Sequence, residues 1–156
     1  MTSTTYQTVF ELGLRSFPWG ALLHPTIFIA IGLVLVRFSG GRKYLQLVAG
    51  AGALFGVLGF LLLAIRYVPE FIQARHAYAT GDTSVIQGKV EDFHPMPALG
   101  PAKESFSVAG VGFSYYVADS TPCFHNDPPH KGPIHSGLDV RIYYNDHCIQ
   151  RVDVRR

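Results

Sequence analysis

The chain has 156 residues, of which 48% are hydrophobic and 15% are charged. Soluble chains usually carry about 25% charged residues, so this composition disfavours an ordinary soluble protein and favours a membrane protein with a polar part. From Ser84 onward, seven Lys or Arg residues stand against eight Asp or Glu residues. Nucleic-acid binding requires a clustered basic face, so this near neutrality excludes it and we expect no nucleic-acid partner.

Residues 1–16 read as an N-terminal tail, followed by two long apolar segments. Residues 19–38 form the first, and the aromatic and proline residues of 17–19 are typical of a membrane interface. Residues 44–65 carry no charged side chain, and a helix of that length covers the ~30 Å hydrocarbon core of a bilayer. The sequence therefore predicts a transmembrane hairpin over residues 17–66, with the lipid bilayer as its first partner. His24 lies either at the interface or at a site between the helices.

The turn between the two segments carries three positive charges, Arg37, Arg42 and Lys43, and no negative one. The positive-inside rule places this turn in the cytoplasm and both termini outside it. Arg66 and Arg75 beyond the second segment oppose this orientation. We expect a bacterial inner-membrane protein with two transmembrane helices and a periplasmic or otherwise extracytoplasmic C-terminal domain.

Small residues recur at spacings of three and four in the second segment, at Ala49, Gly52, Gly56 and Gly59. Gly52 and Gly56 form a GxxxG pair, and such a stripe lets another backbone approach closely. We expect these residues to form a helix contact, either with the first helix of the hairpin or with a second copy of the chain.

Residues 67–83 are expected to form a short juxtamembrane helix that begins at Pro69, followed by a linker. From Ser84 the apolar residues recur every second position, which is typical of strands. Five strands with turns at Ala109-Gly110 and Asn145-Asp146 fit into residues 84–156. A chain this short has few ways to cover sheet edges, so the predicted class is α+β, a transmembrane hairpin followed by a small five-stranded antiparallel β-barrel of the OB or SH3 kind.

The chain contains two cysteines, Cys123 and Cys148. In an exported domain they are expected to form a disulfide that fixes a long loop to the sheet and stabilises the fold by roughly 3 kcal/mol. In a cytoplasmic domain they would be two buried thiols. A thiol or hydrolytic enzyme would require a free Cys123, paired with His125 or His147.

Five of the seven histidines lie in the polar half of the chain. Neutral imidazole is the commonest metal ligand and a thioether suits Cu(I), which makes a small set of side chains candidate ligands: His94, Met96, His125, His130 and His135. Their spacing matches no standard zinc pattern, and hydrogen bonds to loop backbone also account for them. We expect no resident metal and no cofactor.

The sequence lacks a phosphate-binding glycine loop, a G-x-S-x-G elbow and an H-E-x-x-H motif. We therefore expect no enzyme and no catalytic residue, but an accessory or scaffold subunit that contacts other membrane or envelope proteins, or itself as a homo-oligomer. The expected partner contact is one proline-rich turn, Phe93, His94, Pro95, Met96 and Pro97. The alternative is a periplasmic protein that binds Cu or Zn through its loop histidines.

Residues 90–116, VEDFHPMPALGPAKESFSVAGVGFSYY, together with GPIHSGLDVRIYY from Gly132, resemble a pattern found in short uncharacterised bacterial membrane proteins. The resemblance covers about the last half of the chain. It implies a fixed loop-and-hairpin geometry around His94, Met96, Pro97, Glu104 and Phe106, and it brings no activity. The arrangement also resembles the NfeD type, in which an OB-fold barrel hangs from a helical membrane anchor, a likeness of architecture alone.

Overall fold

The computed structural model describes residues 5–97, 103–116, 119–125, 132–146 and 148–155. The chain is α+β and forms two compact units. Residues 18–70 form the hairpin unit, and the chain up to Phe17 together with the chain from Phe71 onward forms the sheet unit. The elements in chain order are β1 Tyr6–Glu11, a 3-10 turn Leu14–Ser16, α1 Trp19–Phe38, α2 Lys43–Thr80, β2 Ser84–His94, β3 Glu104–Val108, β4 Val111–Tyr115, β5 Asp139–Asn145 and β6 Cys148–Arg155.

Both helices are long and apolar enough to cross a bilayer, and only 11% of the most apolar window of each is buried. Their apolar side chains therefore point mostly outward, unlike those of a core helix in a soluble protein. The turn between the helices passes through Gly40 and Gly41 with φ of 58° and 80°, a backbone conformation that glycine adopts without a steric penalty.

The sequence predicts that a separate helix begins at Pro69. Instead, α2 continues as one helix over Lys43–Thr80 with Pro69 inside it. Proline removes a single backbone donor, and the helix continues on both sides of Pro69. The helix ends where Gly81, with φ of 74°, donates its N–H to Tyr78 O and Asp82 donates to Ala77 O. These two bonds form a Schellman motif, which satisfies the last carbonyls of the helix.

The six strands form one antiparallel sheet in the order β1-β6-β5-β2-β3-β4. The prediction of a closed five-stranded barrel is therefore wrong. The sixth strand, β1, comes from residues predicted as a tail, and it pairs with β6 at the far end of the chain. Strand β2 pairs with β5 over residues 84–89 and with β3 beyond Val90. The register of β2 against β3 shifts between Glu91 and His94, as at a β-bulge.

A barrel would close through backbone pairing between β1 and β4, and the described residues contain no such pairing. The ring of Phe124 lies in this position instead, 5.2 Å from the ring of Phe10 on β1 and 5.3 Å from that of Tyr115 on β4. We call this contact the aromatic seam. It joins the two edges of the sheet by side chains, above a core formed by Val90, Phe106, Val108, Phe113, Tyr115, Phe124, Ile134, Val140, Ile142, Ile149 and Val152.

Candidate functional site

The predicted partner segment, residues 93–97, follows a bend at the end of β2. Asp92 has a positive φ of 47°, and its carboxylate accepts a hydrogen bond of 3.1 Å from the hydroxyl of Ser107 on β3. This local bond supports a backbone conformation that few residues adopt. The segment therefore begins inside β2, where His94 pairs with Ser105 of β3, and leaves the sheet after His94.

Side chains of this segment divide between the core and the surface. Phe93 is half-buried and packs against the core, and Met96 is buried. His94, Pro95 and Pro97 are exposed. The structure therefore leaves three of the five predicted contact residues available at the surface, on a backbone stiffened by two prolines.

Three of the described histidines lie beside a backbone carbonyl. His94 Nδ1 is 2.7 Å from Asp92 O, His125 Nδ1 is 2.7 Å from Cys123 O, and His135 Nδ1 is 3.2 Å from Ser136 O. A carbonyl only accepts, so each Nδ1 is the donor in these contacts. These bonds satisfy loop backbone, as the simpler interpretation of the histidines requires.

Metal binding needs several donors that converge on one point. Within the described ranges, no group of three or more His, Cys, Asp or Glu side chains lies close enough to hold an ion. Met96 is buried while His94 is exposed, so this pair does not present both donors at the surface. His130 lies outside the described residues, so the expectation of no resident metal stays a prediction and metal binding stays its alternative.

Cys123 and Cys148 form a disulfide, with their Cα atoms 5.1 Å apart. The next residue, Phe124, donates its backbone N–H to Ile149 O at 2.9 Å, so covalent and hydrogen bonds hold the loop at the start of β6. This attachment places Phe124 in the aromatic seam. With its sulfur in the disulfide, Cys123 offers no thiolate for the nucleophile that an enzyme of the Cys-His kind would need.

A polar network on β1, β6 and α2 was not foreseen from the sequence. Asp153 is buried, and its Oδ1 accepts hydrogen bonds of 2.8 Å from Thr8 Oγ1 and 2.8 Å from Arg151 Nε. Tyr78 donates to Glu11 Oε1 at 2.8 Å. The members lie up to 145 residues apart, so no local motif reveals them.

Burial and hydrogen bonds in this network shift two pKa values. Tyr78 lies beyond the predicted spanning residues 44–65, and burial, followed by its hydrogen bond to Glu11, raises the pKa of its hydroxyl. The hydrogen bond with Asp153 raises the pKa of the Arg151 guanidinium further above its usual range. Arg151 therefore stays charged, as the buried Asp153 carboxylate requires.

Two further buried polar side chains sit inside the sheet unit. The hydroxyl of Tyr115 on β4 donates to Glu104 Oε1 on β3, and Glu104 is fully buried. Gln150, also fully buried, donates its side-chain N–H to Ala74 O at 3.1 Å, which attaches the last turns of α2 to β6. Burying these groups without partners would cost free energy, so both bonds specify how the unit packs.

In the hairpin unit, the small residues serve close packing of α1 on α2. A Cβ placed on Gly56 would lie 2.9 Å from Pro25 O and 2.9 Å from Ile29 N, and one on Gly59 would lie 3.7 Å from Pro25 Cβ. A Cβ on Gly32, a residue that the sequence analysis did not single out, would lie 2.7 Å from Ala49 O. Gly52 has nothing within 4 Å of its Cβ position. Gly56 and Gly59 of the small-residue stripe therefore contact α1, whereas Gly52 lies outside this contact.

No protein-family model, no curated protein and no solved structure matches this chain. The resemblance to short bacterial membrane proteins and the likeness to the NfeD type therefore stay predictions. The function proposed below rests on the residues and contacts of this chain.

Proposed function

We propose that this protein is a membrane-anchored, non-enzymatic accessory or scaffold subunit, in which the hairpin unit spans the bilayer and the sheet unit offers a protein-contact surface. The observation that carries the proposal is the outward orientation of the large apolar side chains on α1 and α2. They include Leu23, Phe28, Leu35, Phe55, Leu62 and Ile65, each more than half exposed. An apolar surface this extensive is unfavourable in water and favourable in lipid.

The bacterial inner membrane, with the sheet unit on its extracytoplasmic side, is the proposed location. The three positive charges of the turn, Arg37, Arg42 and Lys43, favour a cytoplasmic turn. The Cys123–Cys148 disulfide supports the same orientation, because disulfides persist in oxidising compartments and are rare in the cytosol.

The proposed contact surface is the exposed part of the proline-rich segment, His94, Pro95 and Pro97. Two prolines leave this segment little conformational entropy to lose on binding, which favours recognition. The partner is another membrane or envelope protein. A second copy of the chain, in contact through the open side of Gly52, is the homo-oligomeric form of the same proposal.

Thiol labelling in intact cells tests the anchor and its orientation. A membrane-impermeant maleimide should label the native protein only after an impermeant reductant opens the disulfide, and alkaline extraction should leave the chain in the membrane pellet. If labelling requires lysis but no reductant, the sheet unit lies on the cytoplasmic side and the proposed orientation is wrong. Release by alkali would overturn membrane anchoring.

Site-specific photo-crosslinking tests the contact surface. A photoreactive amino acid at position 94 or 97 should give a covalent adduct of one reproducible mass, and the same group at Val85 should not. Val85 is a matched control because it is an exposed position on β2 of the same unit. No adduct at 94 or 97, or the same adducts at 85, contradicts the proposed surface.

A further inference from the structure

The sheet unit exposes two large apolar side chains beside the points where the chain leaves for the hairpin unit and returns from it. Leu14 is 65% exposed and Ile72 is 58% exposed. Two arginines, Arg15 and Arg75, are exposed next to them. We call these four residues the boundary patch.

A buried aromatic pair holds the two parts of the boundary patch together. The rings of Phe17 and Phe71 meet edge to face with their centroids 5.2 Å apart, and both residues are buried. Leu14 precedes Phe17 by three residues and Ile72 directly follows Phe71. The guanidinium carbon of Arg75 lies 5.9 Å from the centroid of the Phe71 ring. Both halves of the patch therefore lie at the same end of the sheet unit.

The order of side chains on α2 suits a lipid surface. Ile72 and Arg75 are three residues apart, so they share a helix face and differ by about 4.5 Å along the helix axis. Ile72 is nearer in sequence to the apolar hairpin, where an aliphatic side chain suits the acyl boundary. Arg75 is one turn further away, where a guanidinium suits phosphate groups.

Charge at this end of the unit favours an anionic surface. The two segments that carry the patch, residues 12–17 and 71–79, contain no Asp or Glu. Arg15 and Arg75 add two positive charges to the patch. A protein partner would not account for the position of the patch at both chain crossings, whereas a bilayer entered at these crossings does.

We propose that the boundary patch docks the sheet unit onto anionic phospholipid headgroups of the bilayer that holds the hairpin. The inference rests on the proposed membrane anchoring and adds a second, reversible attachment with a lipid preference.

Fluorescence quenching in vesicles tests the proposal with the full-length chain. Four variants with one added cysteine each, L14C, I72C, L62C and V85C, carry an environment-sensitive fluorophore on that cysteine. The fluorophore is attached without reductant so that the native disulfide stays closed. The vesicles contain nitroxide lipids labelled either near the headgroup or on the acyl chain, in phosphatidylglycerol mixtures or in phosphatidylcholine alone. We expect strong quenching at 14 and 72 in phosphatidylglycerol, weak quenching at 85, and quenching of the hairpin position 62 by acyl-chain nitroxides in both lipids.

Charge variants separate the lipid preference from apolar contact. Each arginine near an anionic surface shifts the docked-to-undocked ratio by about fivefold, so R15Q/R75Q in the I72C background should lower quenching at 72 in phosphatidylglycerol to the phosphatidylcholine level. K89Q, which removes an exposed charge on β2, should leave it unchanged. Equal quenching at 72 in the two lipids overturns the anionic preference. Quenching at 62 without quenching at 14 and 72 overturns docking alone, and no quenching at 62 overturns membrane anchoring itself.

Discussion

The hairpin unit and the sheet unit use glycine and aromatic residues in opposite ways. In the hairpin unit the contact side is small, at Gly32 and Gly56, and the large side chains point outward. In the sheet unit the large side chains fill the core, and a ring, Phe124, closes the gap that backbone pairing leaves open. This difference is what the proposed membrane anchoring predicts, because lipid gives no hydrophobic force between helices and water does.

Core truncation should separate the two units most strongly. F106A removes a ring that is 2% exposed and contacts Phe113 and Tyr115, so it should lower the free energy of unfolding of the sheet unit by about 3–5 kcal/mol. Denaturant titration of the full-length chain in micelles, followed by tyrosine fluorescence, measures this loss. L62A, at a position 69% exposed on α2, is the control and should leave the sheet transition in place. Equal losses would mean that the outward face of α2 is a protein core.

Opening the disulfide should weaken the sheet unit and spare the hairpin unit. C123S/C148S removes a crosslink between residues 25 apart, which should lower the free energy of unfolding by about 3 kcal/mol. The same titration measures the change, and wild-type protein with dithiothreitol should reproduce it. A sheet transition that does not move would show that backbone and ring contacts alone hold Phe124.

Enlarging Gly56 should disturb the hairpin unit and spare the sheet unit. A side chain at this position meets the backbone of Pro25 and Ile29, so G56I should destabilise the helix pair by about 1–3 kcal/mol in a titration with SDS that follows helical circular dichroism. G52I is the matched control because the space around Gly52 is open. A larger effect of G52I would instead assign Gly52 to a contact with another chain.

Removing Arg151 should cost the sheet unit less than core truncation. R151Q takes a charged partner from the buried Asp153 carboxylate and should lower the free energy of unfolding by about 1–3 kcal/mol. R155Q breaks an exposed ion pair with Asp139, and by the same measurement its effect should stay within about 1 kcal/mol. If R155Q lowers the free energy of unfolding as much as R151Q does, the burial of Asp153 does not strengthen its ion pair with Arg151.

Metal removal should have the smallest effect. Treatment of the full-length protein with a chelator should leave both transitions unchanged, and calorimetric titration with Zn²⁺ or Cu⁺ should show no stoichiometric binding. Stoichiometric binding that H130A and H135A abolish would instead support the metal-binding alternative.

The elements that depend on local pattern were predictable from the sequence. Helix α1 covers the apolar segment 19–38, since an uninterrupted apolar run is its own signal. The turns at Ala109-Gly110 and Asn145-Asp146 join β3 to β4 and β5 to β6, with Ala109 and Asp146 at positive φ. Each of these features is determined by neighbours in the chain.

The features that depend on distant pairing were not predictable. Strand β1 is short and only mildly apolar, and its partner β6 lies at the other end of the chain. The polar network requires the register that sets Thr8 opposite Asp153. A barrel was a reasonable expectation for the strands after Ser84, but whether two edges meet depends on loops, and here Phe124 lies between them.

The pairing of β1 with β6 also constrains the number of membrane crossings. These strands lie on either side of the helices in the chain, and Tyr6 is opposite Arg155 in the register. Two strands can form a ladder only in the same compartment, so in the proposed membrane-anchored protein the chain between them crosses the bilayer an even number of times. Under that proposal both ends of the hairpin open into the compartment that holds the sheet, and a change that kept one helix from inserting would separate β1 from β6.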